Sequence, residues 1–230
     1  MAVEGLSIVI PVYNEEANIK NVVSNSIFYI RNYLKNFEII AVNDGSQDTT
    51  SARLAEMQIL YPELKIFSNK KNKGYGFAVR KGIEYSRKEW VLVMDGDGQI
   101  RIEDFQLFWE NRKYYDFILG YRKRRNDNLY RVILAKFGNC ISNLVLGKQI
   151  KDINCGFKLL KKKDLEKITL KSEGNIISFE ILYNLFKNNK DRFLQLPVRH
   201  YKRKQGKQTG GRFDVIIKIL LEGLKVIFWK

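Results

Sequence analysis

Histidine is nearly absent from this chain of 230 residues: His200 is the only copy, and Cys140 and Cys155 are the only cysteines. That set is too small for a zinc site built from cysteine and histidine. One disulfide remains available, but a chain of this length does not need it, and a reducing cytosol is the simpler expectation. Three prolines and no Ser/Pro- or Gly-rich linker leave no obvious domain boundary, and neither a repeat nor a low-complexity tract interrupts the chain. No apolar run approaches the roughly 20 residues that span a bilayer. The first seven residues carry Glu4 and lack the basic and apolar stretches of a signal peptide. These absences predict a cytoplasmic protein, peripheral to the membrane where it meets one.

Acid is also scarce: 25 Asp and Glu stand against 41 Lys and Arg, a formal net charge of +16. Such an excess attracts nucleic acid, anionic lipid headgroups or phosphorylated substrates. It is uneven, with twelve bases against Asp127 and Asp152 from Arg122 to Lys163, and six bases without an acid from Arg199 to Arg212. The 45% hydrophobic and 13% aromatic content is ample for a packed core.

Apolar runs at residues 6–12, 37–42, 64–67 and 90–94 read as buried strands. Between them, residues 15–34, 48–61 and 74–86 carry helical spacing. Four strand-then-helix units predict a parallel sheet with right-handed crossovers, whose sites form at the carboxyl ends of the strands. Further on, helices are expected at 103–112, 129–146 and 176–188, and strands at 116–119, 157–160 and 193–198.

Polar clusters follow directly on three of the strands: Tyr13-Asn14-Glu15, Asn43-Asp44-Gly45-Ser46 and Asp95-Gly96-Asp97. Asp95 and Asp97 are paired hard oxygen ligands suited to Mg2+ or Mn2+ on a diphosphate, with Gly96 for the tight turn and Gln99 as a further oxygen donor. Asp44 is a candidate acceptor for a base or ribose, while Asp48 suits the cap of the next helix. Lys73 and the backbone amides that open the 74–86 helix form a candidate anion site.

PVYNEE (11–16), NDGSQDTT (43–50), NKGYGFAVRKG (72–82) and DGDGQ (95–99) together resemble family 2 glycosyltransferases, in the order and spacing of the polyprenyl-phosphate sugar synthases. Gly120-Tyr121-Arg122 is similar to that group's Gly-Ser-Arg, DINCGF (152–157) to its Asp-x-x-Ser-Gly-Phe, and Arg203-Lys204-Gln205-Gly206 to its Arg-x-x-Gly loop. Cys155 replaces a small hydroxyl residue, and Gln208-Thr209 stands where the synthases carry Ser-Lys.

The resemblance implies a GT-A fold over residues 1–212, an α/β architecture with a Rossmann-like, mostly parallel sheet flanked by helices. It implies inverting, metal-dependent transfer from a GDP- or UDP-linked sugar to a lipid phosphate. By position, Pro11, Tyr13, Glu15 and Asp44 would hold the nucleotide. Asp95, Asp97 and Gln99 would hold metal and diphosphate, and Arg122 and Arg203 would meet phosphate. A hydroxyl acceptor needs a base such as Asp152 within reach; a lipid phosphate, already ionised, needs positive charge instead.

Residues 213–230 predict a C-terminal amphipathic helix, with Asp214, Lys218, Glu222 and Lys225 on one stripe and apolar residues around it. Its expected contact is the membrane surface or a separate membrane subunit. Transfer to a sugar hydroxyl of a growing glycan is the nearest alternative. A non-catalytic nucleic-acid-binding module leaves Asp44, Asp95 and Asp97 without purpose, so nucleic acid is not an expected partner. A sugar-nucleotide pyrophosphorylase lacks its Gly-rich, basic first loop here.

Overall fold

The computed structural model describes residues 4–124 and 129–203. Seven strands, β1 (Leu6–Val12), β2 (Phe37–Asn43), β3 (Leu64–Ser68), β4 (Trp90–Met94), β5 (Phe117–Arg122), β6 (Phe157–Lys161) and β7 (Phe193–Val198), form one sheet. The helices are α1 (Ile19–Arg31), α2 (Thr50–Leu60), α3 (Tyr75–Tyr85), α4 (Phe105–Asn111), α5 (Leu129–Leu146), α6 (Lys162–Leu165) and α7 (Ile177–Lys187). The strand order is β3-β2-β1-β4-β6-β5-β7. All neighbours pair in parallel except those of β6, which runs against both β4 and β5. The expectation of a mostly parallel sheet flanked by helices is met.

Every residue of β1 is buried, because helices cover both faces of the sheet. Its side chains alternate: Ile8 and Ile10 pack with Ile19, Val23 and Ile27 of α1, while Val9 packs with Val79 and Ile83 of α3. The reversal of β6 has a functional consequence. Met94 lies in register with Phe157, so the 152–156 loop that enters β6 meets the point where β4 ends in Asp95.

Several boundaries differ from the sequence-based expectation, among them the end of β5, which runs on to Arg122, and both ends of α1. Helix α1 begins at Ile19, four residues after Glu15, because the Glu15 carbonyl closes a turn by accepting from Asn18 N and Ile19 N. The four-residue α6 has no periodicity long enough to be read from sequence. Cys140 is exposed, Cys155 is buried, and both are free thiols. The expected helix at 213–230, and the Lys204–Gly206 and Gln208-Thr209 motifs, lie outside the described residues. Among the described residues no helix is long and apolar enough to cross a membrane.

Candidate active site

The loops after β1 and β2 are laced together. Asp44 N donates to Val12 O at 2.8 Å. Asn14 N donates to Ser46 Oγ at 2.9 Å, and Gln47 N returns a bond to Asn14 Oδ1 at 2.8 Å. Glu15 N donates to Thr50 Oγ1 at 2.9 Å, and Asp48 accepts from Thr50 N at 3.0 Å; the capping position of α2 is Thr49, so Asp48 serves the first turn from one residue before the cap expected of it. The loop after β4 closes on the same rim: a Cβ on Gly96 would fall 3.1 Å from Pro11 O. The left-handed residue of that loop is Gly98 (φ 71°), so Gly96 serves close approach to β1 and not the turn itself.

Asp44 is buried, and its carboxylate accepts from Asn69 Nδ2 (2.7 Å), Lys73 N (3.0 Å) and Gly74 N (2.7 Å). Most of its lone-pair capacity therefore holds the 69–74 loop. Gly45 (φ 73°) is required beside it, since a Cβ there would lie 2.6 Å from the Lys71 backbone. The start of α3 is not an open anion cradle, contrary to expectation. Lys73 N and Gly74 N are taken by Asp44, while Gly76 N and Phe77 N donate to Glu173 O at 2.8 and 3.2 Å. What remains is the Lys73 ammonium, 4.5 Å from the centre of the Phe77 ring.

Tyr75, the first residue of α3, donates from its hydroxyl to Asp95 Oδ1 at 2.8 Å. Burial first, and the Asp95 charge second, raise the Tyr75 phenol well above its usual range, so it stays a donor. On its other side Asp95 packs against Gly156, where a Cβ would fall 1.9 Å from Asp95 Oδ2. Behind this contact is a residue that the sequence reading passed over. Lys158 is fully buried in β6, donates to Cys155 O, and reaches Ser178 Oγ at 3.1 Å. Burial pushes its ammonium below the usual lysine range. Burial also pushes the Cys155 thiol up to about 12, which leaves it a neutral packing group. A lysine inside an apolar strand is itself a signal that could have been read.

Arg203 bridges the first and third loops. Its Nη2 donates to Glu15 Oε1 at 2.6 Å, and its Nη1 lies 3.8 Å from Asp97 Oδ2. The segment before it is pinned by Gln99, which gives Nε2 to Tyr201 O at 3.1 Å and accepts Tyr201 N on its backbone oxygen at 2.8 Å. Gln99 thus spends its amide nitrogen on the 201–203 strap, leaving only the side-chain oxygen as the donor anticipated for a metal. Asp97 accepts from Gln99 N at 2.9 Å. Burial, then the Asp95 charge, raise its carboxyl to about 7.

Arg122 and Asp152 form a bidentate ion pair, Nε to Oδ2 at 2.6 Å and Nη2 to Oδ1 at 2.8 Å. Burial works to lower the Arg122 pKa, but the Asp152 partner outweighs it and the net shift is upward. A bidentate, mostly buried pair of this kind fixes orientation as well as charge. The two residues expected to act separately, one on phosphate and one as base, meet each other.

The rim thus gathers Tyr13, Glu15, Asp44, Lys73, Asp95, Asp97, Gln99 and Arg203, with Pro11 buried in β1 beneath it and the Arg122–Asp152 pair at the entry to β6. A basic hollow of about 540 Å³ lies at the opposite edge, where β4 begins at Trp90 and β6 ends at Lys161, and takes no part in this cluster. A divalent cation fits the donor chemistry of the rim. Asp95 and Asp97 are partly exposed carboxylates on one loop, and desolvation first, then the Asp95 charge, raises the Asp97 pKa, both of which a bound cation would offset. Among the described residues no cluster of three or more His, Cys, Asp or Glu forms, so remaining ligands would come from diphosphate and water.

A mostly parallel sheet with acidic loops at its carboxyl edge defines an α/β protein whose candidate ligand site lies at that edge. Residues 7–169 match the model for glycosyl transferase family 2, and the chain belongs to that family. It is similar to a dolichyl-phosphate beta-glucosyltransferase of Trichomonas vaginalis, 29% identical over 178 residues, covering 71% of this chain and 55% of that protein. A dodecaprenyl-phosphate galacturonate synthase of Rhizobium johnstonii is 26% identical over 230 residues, covering 97% and 67%. The chain spans from 55% to 64% of the length of the first three curated relatives it matches. Among solved structures, glucosyl-3-phosphoglycerate synthase of Mycobacterium tuberculosis with phosphoglyceric acid gives a TM-score of 0.77 at 16% identity, covering 97% of this chain and 80% of that one. The same enzyme with Mn2+, uridine diphosphate and glucosyl-3-phosphoglycerate gives 0.74 at 14% identity, again covering 97% and 80%. This likeness shows the fold, GT-A.

Proposed function

We propose that the chain transfers a sugar, with inversion, from a UDP- or GDP-linked donor to a polyprenyl phosphate, using Mg2+ or Mn2+. The observation that carries the choice of acceptor is the Arg122–Asp152 pair. A hydroxyl acceptor must lose a proton to a carboxylate within reach, and Asp152, the residue expected for that task, has both oxygens on a guanidinium. A phosphate monoester is largely ionised at neutral pH and needs only positive charge around it. The relatives named for dolichyl- and dodecaprenyl-phosphate support the same reading.

In this reading Tyr13, 38% exposed at the rim, offers a ring face to the base, and Asp44 shapes the pocket by holding the 69–74 loop. Asp95 and Asp97 would hold a cation, with the Gln99 side-chain oxygen as a further donor. The cation, when bound, neutralises charge building on the leaving diphosphate. Tyr75 fixes the orientation of Asp95, and Gly156 packs behind it. Lys73 and Arg203 lie where the diphosphate would run, and Arg122 draws the acceptor phosphate to the anomeric face. The protein would meet its lipid substrate at the cytoplasmic face of a membrane, by itself or beside a membrane subunit.

The test is a panel of nucleotide-sugars with Mg2+ or Mn2+, offered a short polyprenyl phosphate in one arm and oligosaccharides in the other. Transfer to the lipid phosphate alone is expected. Transfer to oligosaccharide alone would overturn the acceptor assignment in favour of a glycan hydroxyl.

A further inference from the structure

Strand β6 begins Phe157-Lys158-Leu159-Leu160, and the lysine stands where an apolar residue would serve the sheet as well. It lies in register with Val93 of β4 and Leu119 of β5, so its side chain leaves the sheet on the face those two share. That face packs into the apolar cluster that holds Ile177 and Ile181 of α7. Among the described residues Lys158 is the only Lys or Arg that is buried, at 2% exposure.

An ammonium in such surroundings is costly unless charge and hydrogen bonds offset the lost water. Both acceptors of Lys158 are uncharged, the Cys155 carbonyl and, at 3.1 Å, Ser178 Oγ. Burial lowers its pKa, and the nearby Asp95 and Asp152 offset only part of that. A lysine depressed on folding is one whose charge disfavours the folded state. Fold stability therefore does not explain why the position is charged.

What the ammonium joins does explain it. Cys155 belongs to the 152–156 loop, which presents Gly156 to Asp95 and Asp152 to Arg122. Ser178 lies in the first turn of α7, just after Glu173, whose carbonyl receives Gly76 N and Phe77 N of α3. Helix α3 in turn supplies the Tyr75 hydroxyl to Asp95. Asp95 is thus braced from two sides, by Tyr75 and by Gly156, and both braces are rooted in residues 173–178.

We propose that Lys158 is a positioning residue, an interior clamp that ties the 152–156 loop to α7 and so seats Gly156 against Asp95 and Asp152 on Arg122, at a cost in fold stability. The inference rests on the reading above in which Asp95 holds a cation and Arg122 meets the acceptor phosphate. Lys158 itself touches neither.

The experiment compares wild type with the double variant Lys158→Met, Ser178→Ala, in which an unbranched apolar chain replaces the lysine and no hydroxyl is stranded. Three quantities are read. They are the melting temperature, the Kd of UDP or GDP with Mn2+, and hydrogen exchange at the amides of Asp95 and Cys155, which donate to Gly156 O and Asp152 O at 3.2 Å each. The variant is expected to melt no earlier than wild type and to bind nucleotide several-fold more weakly. Its Asp95 and Cys155 amides should exchange about tenfold faster while those of β1 are unchanged. Wild-type exchange and affinity in the variant would overturn the proposal. So would earlier melting with exchange raised throughout the sheet, because Lys158 would then serve the core alone. A wild-type protein that binds neither nucleotide in Mn2+ would sink the cation-site reading, and the exchange rates would still decide whether Lys158 holds the loop.

Discussion

The Tyr75 hydroxyl donates to Asp95 Oδ1 at 2.8 Å, and the N–H of Gly74, the residue before Tyr75, donates to the Asp44 carboxylate. Two acidic residues on separate loops are thereby set in relation by one tyrosine at the start of α3. The Tyr75→Phe variant should keep its melting temperature nearly unchanged, since the ring stays packed, but bind a nucleoside diphosphate with Mn2+ several-fold less tightly. Titration calorimetry on the variant checks this, and wild-type affinity would show that Asp95 needs no such brace.

Asp44 is expected to matter to the fold as much as to the ligand. Its carboxylate receives three donors from the 69–74 loop, and bonds to a charged acceptor are worth about 1.5–3 kcal/mol each. Asp44→Ala should cost about 3 kcal/mol in urea unfolding, with Asp44→Asn losing less because one acceptor oxygen survives. A loss below about 0.5 kcal/mol, ordinary for a surface substitution, would contradict the account.

Arg122 and Asp152 should behave as one unit. Removing either partner strands a mostly buried charge, at a cost of about 3–5 kcal/mol. A double-mutant cycle with Arg122→Ala and Asp152→Ala should return a coupling of about 2 kcal/mol. Additive single effects would mean that the pair is loose in solution and that Asp152 is free to act as a base.

Away from the site, Glu38 predicts a pH dependence of stability. Its carboxylate accepts from Ser7 Oγ at 2.7 Å, from Arg87 N at 2.8 Å and from Lys65 Nζ. Burial works to raise its pKa, but the bonds from Lys65, Ser7 and Arg87 outweigh it and the group lies below its ordinary 4.5. A depressed carboxylate contributes stability that is complete above the unfolded value and lost as pH falls through the folded one. Glu38→Gln should therefore cost about 2 kcal/mol at pH 7, with the difference from wild type shrinking below pH 4.5. A difference constant from pH 7 to 3 would contradict that assignment.

Much of this architecture is legible in the chain because burial on both faces writes strands as unbroken apolar runs. Leu6–Val12, Phe37–Asn43 and Trp90–Met94 are such runs, each stopping where a polar loop begins. The meeting of the loops at one edge followed from topology. What the chain hid is relational. Nothing in DINCGF says that β6 runs backwards and sets Gly156 against Asp95. Nor does Lys73-Gly74-Tyr75-Gly76 disclose that its amides are spent on Asp44 and Glu173. Propensity describes each segment alone, whereas these partners lie far along the chain. Nor does Glu15 disclose that its carboxylate meets Arg203, 188 residues away.

The account stands on Asp95 and Asp97 as a cation site that tethers a diphosphate. Its most direct measurement is the melting temperature of wild type and Asp97→Ala with UDP or GDP, in Mn2+ and in EDTA. Ligand bound only by the folded state stabilises it by mass action, about 2.7 kcal/mol at a hundredfold excess over Kd. The account predicts that wild type is stabilised by one of the nucleotides in Mn2+ but not in EDTA, and that Asp97→Ala, folded as well as wild type without ligand, gains nothing in either. An equal Mn2+-dependent rise in Asp97→Ala would place the metal elsewhere and contradict the site.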